Sequence, residues 1–234
     1  MKLEQVTIKD IARELNVSSS TVSRALKDYP GISDETKRKV RELAKKMDYR
    51  PNAIALSLRK SRSFTIGVII PEVVHFFFST VISGIEEVAF ARGYNVILTQ
   101  TNEKLVREKS SIATMLSNQI DGVLVSYSKE TNYFEHFSNL LDKGFPIVFF
   151  DRVPKIENAI TVTVDDYSGA YEATKHLIQQ GYRNIVHLSG PSNLNISHER
   201  ARGYKNALSD HGITPDPTYI VECTRGTDDE AQKI

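Results

Sequence analysis

Hydrophobic residues in the first fifty positions recur with the period of an α-helix in three separate stretches. The residues that share this spacing are Ile8, Ile11, Ala12 and Leu15, then Val22, Ala25 and Leu26, then Val40, Leu43, Ala44 and Met47. A hydroxyl residue precedes each stretch, namely Thr7, Ser18 and Ser33, and such residues commonly cap the first turn of a helix. The pattern predicts three short helices packed around one apolar centre.

From Phe64 onward, apolar runs of strand length alternate with amphipathic stretches of helix length. The runs cover residues 64–70, 95–99, 122–126, 147–150, 184–189 and 219–223. A glycine followed by an apolar residue recurs at Gly93, Gly144, Gly181 and Gly212, and glycine readily takes the left-handed conformation that ends a helix. Alternation of this kind predicts βαβ units around a parallel sheet.

Length and charge divide the chain near the place where the pattern changes. A chain of 234 residues is long enough for two domains. Residues 1–62 hold 15 Lys and Arg against 8 Asp and Glu, a net charge of +7, and the remaining residues hold 15 against 21, a net charge of −6. A basic head on an acidic body is typical of a polyanion-binding domain joined to a sensor.

Several classes of protein are disfavoured by what the sequence lacks. The N-terminal residues contain no apolar run of a signal peptide and no segment has the length of a bilayer span, so we expect a cytoplasmic protein without a membrane partner. Cys223 has no Cys/His cluster around it, so we expect a small buried residue, no metal and no other cofactor. The glycine and serine motifs of common enzymes are also missing, which argues against an enzyme and leaves no catalytic residue to name.

The residues that open the second predicted helix indicate a DNA-binding surface. Two helices joined by a few residues form the helix-turn-helix geometry, which places the second helix in the major groove. Small hydroxyl side chains permit close approach, and the planar fork of Arg24 matches the O6 and N7 atoms of guanine. The candidate DNA contacts in this part are Thr7, Ser18, Ser19, Ser20, Thr21, Ser23 and Arg24. The alternative is a three-helix adaptor domain whose serine-rich face is simply solvated.

The motifs of this region resemble those of the lac repressor/galactose repressor (LacI/GalR) family. They are Val6-Thr7-Ile8-Lys9-Asp10-Ile11-Ala12, Val17-Ser18, Thr21-Val22-Ser23-Arg24-Ala25-Leu26 and Tyr49-Arg50-Pro51-Asn52-Ala53. The resemblance implies a hinge helix and linker over residues 51–62, with DNA contacts from Asn52, Leu58 and Arg59. It implies that Leu58 enters the minor groove as an apolar wedge, whereas the alternative is ordinary packing of this leucine between domains. Leu56 stands where the family commonly has arginine.

Polar and aromatic residues follow the predicted strands, where open α/β sheets bind their ligands. Motifs in these positions resemble the family's effector domain, which is similar to periplasmic sugar-binding proteins; they are Phe150-Asp151-Arg152, Val164-Asp165-Asp166, Ser189-Gly190-Pro191, Glu199-Arg200 and Gly203-Tyr204. The resemblance implies that the effector is contacted by Phe77, Ser126, Asp151, Arg152 and Arg200, with Arg200 bonding it directly. The alternatives are that residues 76–78 are plain core and that Asp151 and Arg152 form a surface ion pair.

These features predict an all-α helix-turn-helix head and an α/β, periplasmic-binding-protein-like effector domain with parallel sheets. We expect a DNA-binding domain at residues 1–50, the hinge and linker at 51–62, an N-subdomain at 63–162 and a partial C-subdomain at 163–234. The second subdomain is expected to be incomplete because the family's chains are longer. We therefore interpret the sequence as a C-terminally truncated product or a fragment.

The predicted function is sequence-specific regulation of transcription, with repression as the expected direction. Two subunits of a homodimer would bind a pseudo-palindromic operator in double-stranded DNA, and a small-molecule effector, a sugar or sugar derivative, would control that binding. The expected location is the bacterial cytoplasm, with the DNA-bound form associated with the nucleoid. Besides an enzyme, the competing interpretation is a sugar-binding module without a DNA function, which would show no salt-sensitive DNA affinity.

Overall fold

In the computed structural model, residues 6–49 and 62–223 are described, and they fall into two compact units that divide at Ser63. The first unit is helical. The second contains parallel β-sheet and helices. The two kinds of secondary structure that the hydrophobic periodicity predicts are therefore confirmed on the expected sides of the division.

The described part of the first unit contains three helices: α1 (Ile8–Glu14), α2 (Ser19–Leu26) and α3 (Asp34–Lys46). Ile11, Val22 and Val40 contribute one fully buried side chain from each helix, so the predicted apolar faces meet at a single centre. Asn16 has a φ of 50°, a left-handed conformation that asparagine tolerates better than most residues, and it turns the chain from α1 towards α2. The result is the short turn between two helices that the sequence predicts.

The second unit alternates strands and helices along the chain. Its strands are β1 (Thr65–Ile70), β2 (Asn95–Gln100), β3 (Gly122–Val125), β4 (Ile147–Phe150), β5 (Ile160–Val162), β6 (His187–Ser189) and β7 (Ile220–Glu222). Its helices are α4 (Phe76–Ala91), α5 (Leu105–Ser117), α6 (Glu135–Leu141), α7 (Asp166–Gln179) and α8 (Asn195–Asp210), with a 3-10 turn at Pro217–Tyr219. Gly93 and Gly144 have φ of 73° and 76° and end helices as predicted.

The larger sheet has the strand order β2-β1-β3-β4-β5, and every neighbouring pair is parallel. Successive residues of β1 point to opposite faces: Ile69 packs against the helices α5 and α6, and its neighbours Val68 and Ile70 pack against α4. Strands β6 and β7 form a second parallel pair; α8 contacts β6, and α7 packs on α8. Both faces of β1 are buried, which explains why its sequence is continuously apolar rather than alternating.

Strand β5 is not among the predicted strands. Its three residues are all exposed, with Ile160 at 63% and Val162 at 61%, and they are too few to form an apolar run. These residues form a strand because they pair with β4, with Thr161 opposite Phe149. None of the helices within the described ranges has the length and apolar character that a bilayer crossing requires.

Helix α8 packs on α7 at Gly203, where the two backbones approach closely. A Cβ atom at this position would lie 2.3 Å from the carbonyl oxygen of Tyr167 and 3.0 Å from the amide nitrogen of Tyr171. Both of these atoms belong to the backbone of α7 and have little freedom to move. The close approach of the two helices therefore requires glycine here.

The substitution Gly203→Ala is expected to lower the free energy of unfolding by about 1–3 kcal/mol, because the added methyl group forces the two helices apart. Urea unfolding of the full chain measures the change. Gly169→Ala in α7 is the matched control, because a Cβ there meets nothing within 4 Å. That control is expected to stabilise the protein by about 0.5–1 kcal/mol, since alanine is the better helix former. Equal effects of the two substitutions would show that Gly203 does not set the helix spacing.

Candidate functional site

The start of α2 carries a cluster of hydroxyl groups. The Ser18 Oγ accepts a hydrogen bond from the Thr21 backbone amide at 3.1 Å, and it lies 2.8 Å from both the Ser20 Oγ and the Thr21 Oγ1. Ser18 and Ser20 are exposed. A helix N-terminus has a positive partial charge, and exposed hydroxyls beside it are suitable donors to a phosphate oxygen. This end of the helix can therefore hold a nucleic-acid backbone.

Arg24 lies in the last turn of α2 and is exposed. Its guanidinium carbon is 5.7 Å from the centre of the Tyr29 ring. Ser19 and Ser23 lie on the same helix and are partly buried, whereas Val22 and Ala25 face the core. The helix therefore separates an apolar face from a polar one, and the five α2 positions predicted to contact DNA all lie on the polar part of its surface.

Thr7 caps α1 together with Asp10. The Thr7 amide and hydroxyl donate to the Asp10 Oδ2 at 2.9 Å and 2.6 Å, and the hydrogen bonds from Thr7 lower the pKa of the Asp10 carboxyl. Thr7 itself is exposed. The other predicted DNA contacts, Asn52, Leu58 and Arg59, lie outside the described residues, as does the rest of the predicted hinge up to residue 61.

A cleft of about 220 Å³ opens at the carboxyl ends of the strands in the second unit. Glu103 after β2 and Arg152 after β4 line one side, and His187 and Arg200 line the other. Parallel strands bring their carboxyl ends to one edge of the sheet, so residues distant in sequence converge there. The cleft is therefore where the sequence predicts a ligand site.

Arg152 and Glu103 form a bidentate ion pair in this cleft. The two terminal nitrogens of Arg152 donate to the Glu103 carboxylate at 2.9 Å and 2.8 Å, and one of them also donates to the Tyr127 carbonyl oxygen. Burial alone would raise the pKa of Glu103, but the hydrogen bonds and charge of Arg152 outweigh it and hold that pKa below its usual value. Arg152 is only 7% exposed, so the alternative of a surface ion pair is wrong.

Asp151 and Ser126 lie beside this pair. Asp151 has a φ of 65°, and its Oδ2 accepts a hydrogen bond from the Ser126 Oγ at 3.3 Å and lies 3.8 Å from the Arg152 Nε. Burial raises the pKa of Asp151 despite the nearby guanidinium. The Arg152 Nε is buried and has no hydrogen-bond partner within the described part of the chain. Asp151 and Ser126 thus support the Arg152 wall of the cleft.

Arg200 reaches the cleft from α8, where its Nε donates to the Asp166 Oδ1 at 2.7 Å. Phe77, in contrast, is not among the described residues that line the cleft, and its ring is 41% exposed and packs edge-on against Phe78. Phe78 lines the cleft instead. The alternative that residues 76–78 are plain core holds only for Phe78, because Phe76 is 85% exposed.

The charged side chains among the described residues that line the cleft are Lys129, Arg152, Arg200 and Glu103. Asp151 and Asp166 are not in that lining, but their carboxylates lie beside Arg152 and Arg200. Both guanidinium groups already have carboxylate partners. The paired carboxylates can still accept, and the paired guanidinium groups can still donate, hydrogen bonds to the hydroxyls of a ligand. An additional anion, in contrast, would have to compete with a carboxylate of the protein.

Sequence reasoning did not identify Glu108, whose carboxylate is fully buried beneath the cleft. It accepts hydrogen bonds from the Ser128 amide at 2.6 Å and the Thr131 hydroxyl at 2.9 Å, and the His136 Nε2 lies 2.8 Å away. These partners fix the loop after β3, which carries the Tyr127 carbonyl to Arg152. The only available signal was an acidic residue in the first turn of a predicted amphipathic helix.

No group of three or more histidine, cysteine or acidic residues within the described ranges is arranged to hold a metal ion. Cys223 is buried and unpaired, as predicted.

Two family models match the chain. The model described as "Periplasmic binding proteins and sugar binding domain of LacI family" matches residues 63–234, and "Bacterial regulatory proteins, lacI family" matches residues 7–52. The two matches correspond to the two compact units of the structure.

The similar proteins include regulators of transcription. The chain is 35% identical over 218 residues to catabolite control protein A of Priestia megaterium, covering 93% of this chain and 65% of that protein. It is 34% identical over 218 residues to the HTH-type transcriptional repressor PurR of Vibrio atlanticus, covering 92% and 64%. The chain therefore spans just under two thirds of the length of these relatives.

A solved structure of the lac repressor dimer, bound to operator and an anti-inducer, has the same fold. It superposes with a TM-score of 0.77 at 22% identity, covering 95% of this chain and 66% of that one. This likeness supports the order of a helical head followed by an α/β body.

Replacing the buried carboxylate in Glu108→Leu is expected to lower the free energy of unfolding by about 3 kcal/mol or more, because two buried donors, the Ser128 amide and the Thr131 hydroxyl, lose their acceptor, and His136 loses its partner. Thermal or urea unfolding of the full chain measures this loss. The control is Glu87→Gln, which changes an exposed acidic residue and is expected to have an effect within about 0.5 kcal/mol. A Glu108→Leu protein as stable as the original chain would show that the loop after β3 is held by other contacts.

Proposed function

Because the chain belongs to the LacI family of bacterial regulatory proteins, we propose that it is a sequence-specific DNA-binding regulator of transcription that represses its targets. The observation that carries this proposal is the exposed start of α2, where Ser18, Ser20 and Thr21 form a hydroxyl cluster and Arg24 follows on the same helix. The hydroxyls and helix N-terminus bind backbone phosphates, and Arg24 reads a guanine edge. Thr7, Ser19 and Ser23 add contacts from the same unit.

A homodimer is the assembly that this function requires. Two copies of α2 then enter successive major grooves of a pseudo-palindromic operator, and the protein contacts no membrane. Residues 1–50 form the DNA-binding domain, 51–62 the hinge with Asn52, Leu58 and Arg59 at the DNA, and 63–162 and 163–234 the two parts of the effector domain. The protein acts in the cytoplasm, bound to the nucleoid when it occupies an operator.

The cleft in the body binds an uncharged, polyhydroxylated effector, which is a neutral sugar. The pairing of its two guanidinium groups supports this choice, because Arg152 is already held by Glu103 and Arg200 by Asp166. Carboxylates that retain lone pairs accept hydrogen bonds from sugar hydroxyls, and a phosphate would meet nearby negative charge. Arg152, Arg200 and Asp151 act together with Glu103 at this site, with Ser126 behind them, and Phe77 is the aromatic contact that the family resemblance implies.

The DNA-binding function is tested by selecting bound sequences from random duplex DNA with the full chain, and with Arg24→Ala, at two salt concentrations. The original chain is expected to recover a pseudo-palindrome, and Arg24→Ala is expected to lose a guanine preference worth about 1–3 kcal/mol. Lys39→Ala is the control. Lys39 pairs with Glu35 on α3, so this substitution is expected to leave the guanine preference unchanged. Recovery of ligands without any sequence preference at either salt concentration would contradict the proposed function.

The effector class is tested by thermal shift with a panel of neutral pentoses and hexoses and their phosphate esters. A neutral sugar is expected to raise the melting temperature and its phosphate is not. Glu103→Gln is expected to weaken that sugar by about tenfold or more, because a charge-assisted hydrogen bond is lost. Glu103→Asp retains the charge and Glu87→Gln tests a remote acidic residue. Stabilisation by sugar phosphates alone would contradict the assignment of a neutral ligand.

A further inference from the structure

Tyr29 is an exposed aromatic residue in the turn between α2 and α3. Its side chain is 53% exposed, and it is not among the residues that pack the core of this unit. A single exposed tyrosine is common on protein surfaces, but this one has a specific partner, Arg24.

The Arg24 guanidinium lies over the face of the Tyr29 ring, with its central carbon 5.7 Å from the ring centre. This distance is within the range of a cation–π interaction. Among the described residues, no carboxylate forms an ion pair with Arg24, so the ring is the group that orients the guanidinium. The contact leaves the five N–H groups of the guanidinium available to a ligand, because the ring interacts with the face of the cation rather than its edge.

The turn that carries Tyr29 is itself well anchored. The Tyr29 amide donates to the Arg24 carbonyl oxygen at 3.0 Å, and the Ile32 amide donates to the Tyr29 carbonyl oxygen at 3.2 Å. The ring packs over Gly31, where an added Cβ would lie 3.3 Å from the ring Cε1. Backbone hydrogen bonds and this contact together fix the position of the ring.

Asp28 connects the same turn to α3. It has a φ of 59°, and its Oδ1 lies 3.1 Å from the Lys37 Nζ and 3.0 Å from an Arg41 terminal nitrogen. The hydrogen bond from Lys37 and the two positive charges hold the pKa of Asp28 below its usual value. The residue before Tyr29 is therefore held to α3 by ion pairs, which anchors the turn that carries the ring.

We propose that Tyr29 is a positioning residue for DNA recognition, which orients the Arg24 guanidinium for the edge of a guanine. This inference rests on the proposed DNA-binding function. A free arginine side chain samples many rotamers and loses them on binding, whereas one already stacked on a fixed ring loses fewer. Tyr29 thereby contributes to sequence preference through Arg24, without a base contact of its own.

The test measures dissociation constants for the full chain on two duplexes: the sequence that the original chain selects, and the same sequence with the guanine opposite Arg24 replaced. Tyr29→Leu is expected to weaken binding to the selected duplex by about two- to fivefold, the range that an exposed cation–π contact corresponds to, and to leave the replaced duplex unaffected. Tyr29→Phe keeps the ring face and is expected to bind as the original chain does. Tyr133→Leu, which changes a tyrosine that is 74% exposed in the second unit, is the matched control.

A double-mutant cycle with Arg24→Ala separates positioning from direct contact. The effect of Tyr29→Leu is expected to disappear when Arg24 is alanine, because there is no guanidinium left to orient. An undiminished effect in that background would mean that Tyr29 contacts DNA itself and would overturn the inference, as would unchanged or tighter binding by Tyr29→Leu alone. Absence of any sequence preference in the original chain would overturn the proposed function, and this inference with it.

Discussion

Parallel pairing of the strands is the constraint on which the body depends. Because β1 pairs in parallel with both β2 and β3, and β3 with β4, the segments that follow these strands meet at one edge of the sheet. Glu103 and Arg152 are 49 positions apart in the chain and form a bidentate ion pair there. No local feature of the sequence holds these two residues together. The cleft exists because the register places strand ends side by side.

Burial of charge then determines what the cleft can bind. A buried guanidinium or carboxylate is costly without a partner, and the structure supplies partners for Arg152 and Glu108 from neighbouring strand ends and loops. Glu108 holds the loop after β3 from below, and the Tyr127 carbonyl oxygen of that loop accepts a hydrogen bond from Arg152. The wall of the cleft at Arg152 is therefore held by contacts within the protein, with the guanidinium already paired to a carboxylate.

Local rules predict much of this molecule from its sequence. The capping residues and helical periodicity predict α1, α2 and α3, and the apolar runs predict β1 to β4, because these signals act between residues close in sequence. The same rules miss β5, whose three exposed residues are ordered by pairing with β4. The family resemblance implies an effector contact from Phe77, whereas its neighbour Phe78 is the one that lines the cleft.

The other features that the sequence does not predict depend on contacts between residues that are distant along the chain. The roles of Glu103 and Glu108 depend on residues twenty or more positions away, so no motif indicates them. Tyr29 is seen in the sequence only as part of a turn, and its stacking on Arg24 requires the geometry of that turn.

The central claim is that α2 is the DNA-reading element, and backbone hydrogen exchange of the full chain with and without a selected duplex tests it most directly. The amides of Ser19–Leu26 are expected to exchange more slowly when the selected duplex is bound, and to change less with a duplex of unrelated sequence. Protection confined to the α/β body, with unchanged exchange in α2, would contradict the account.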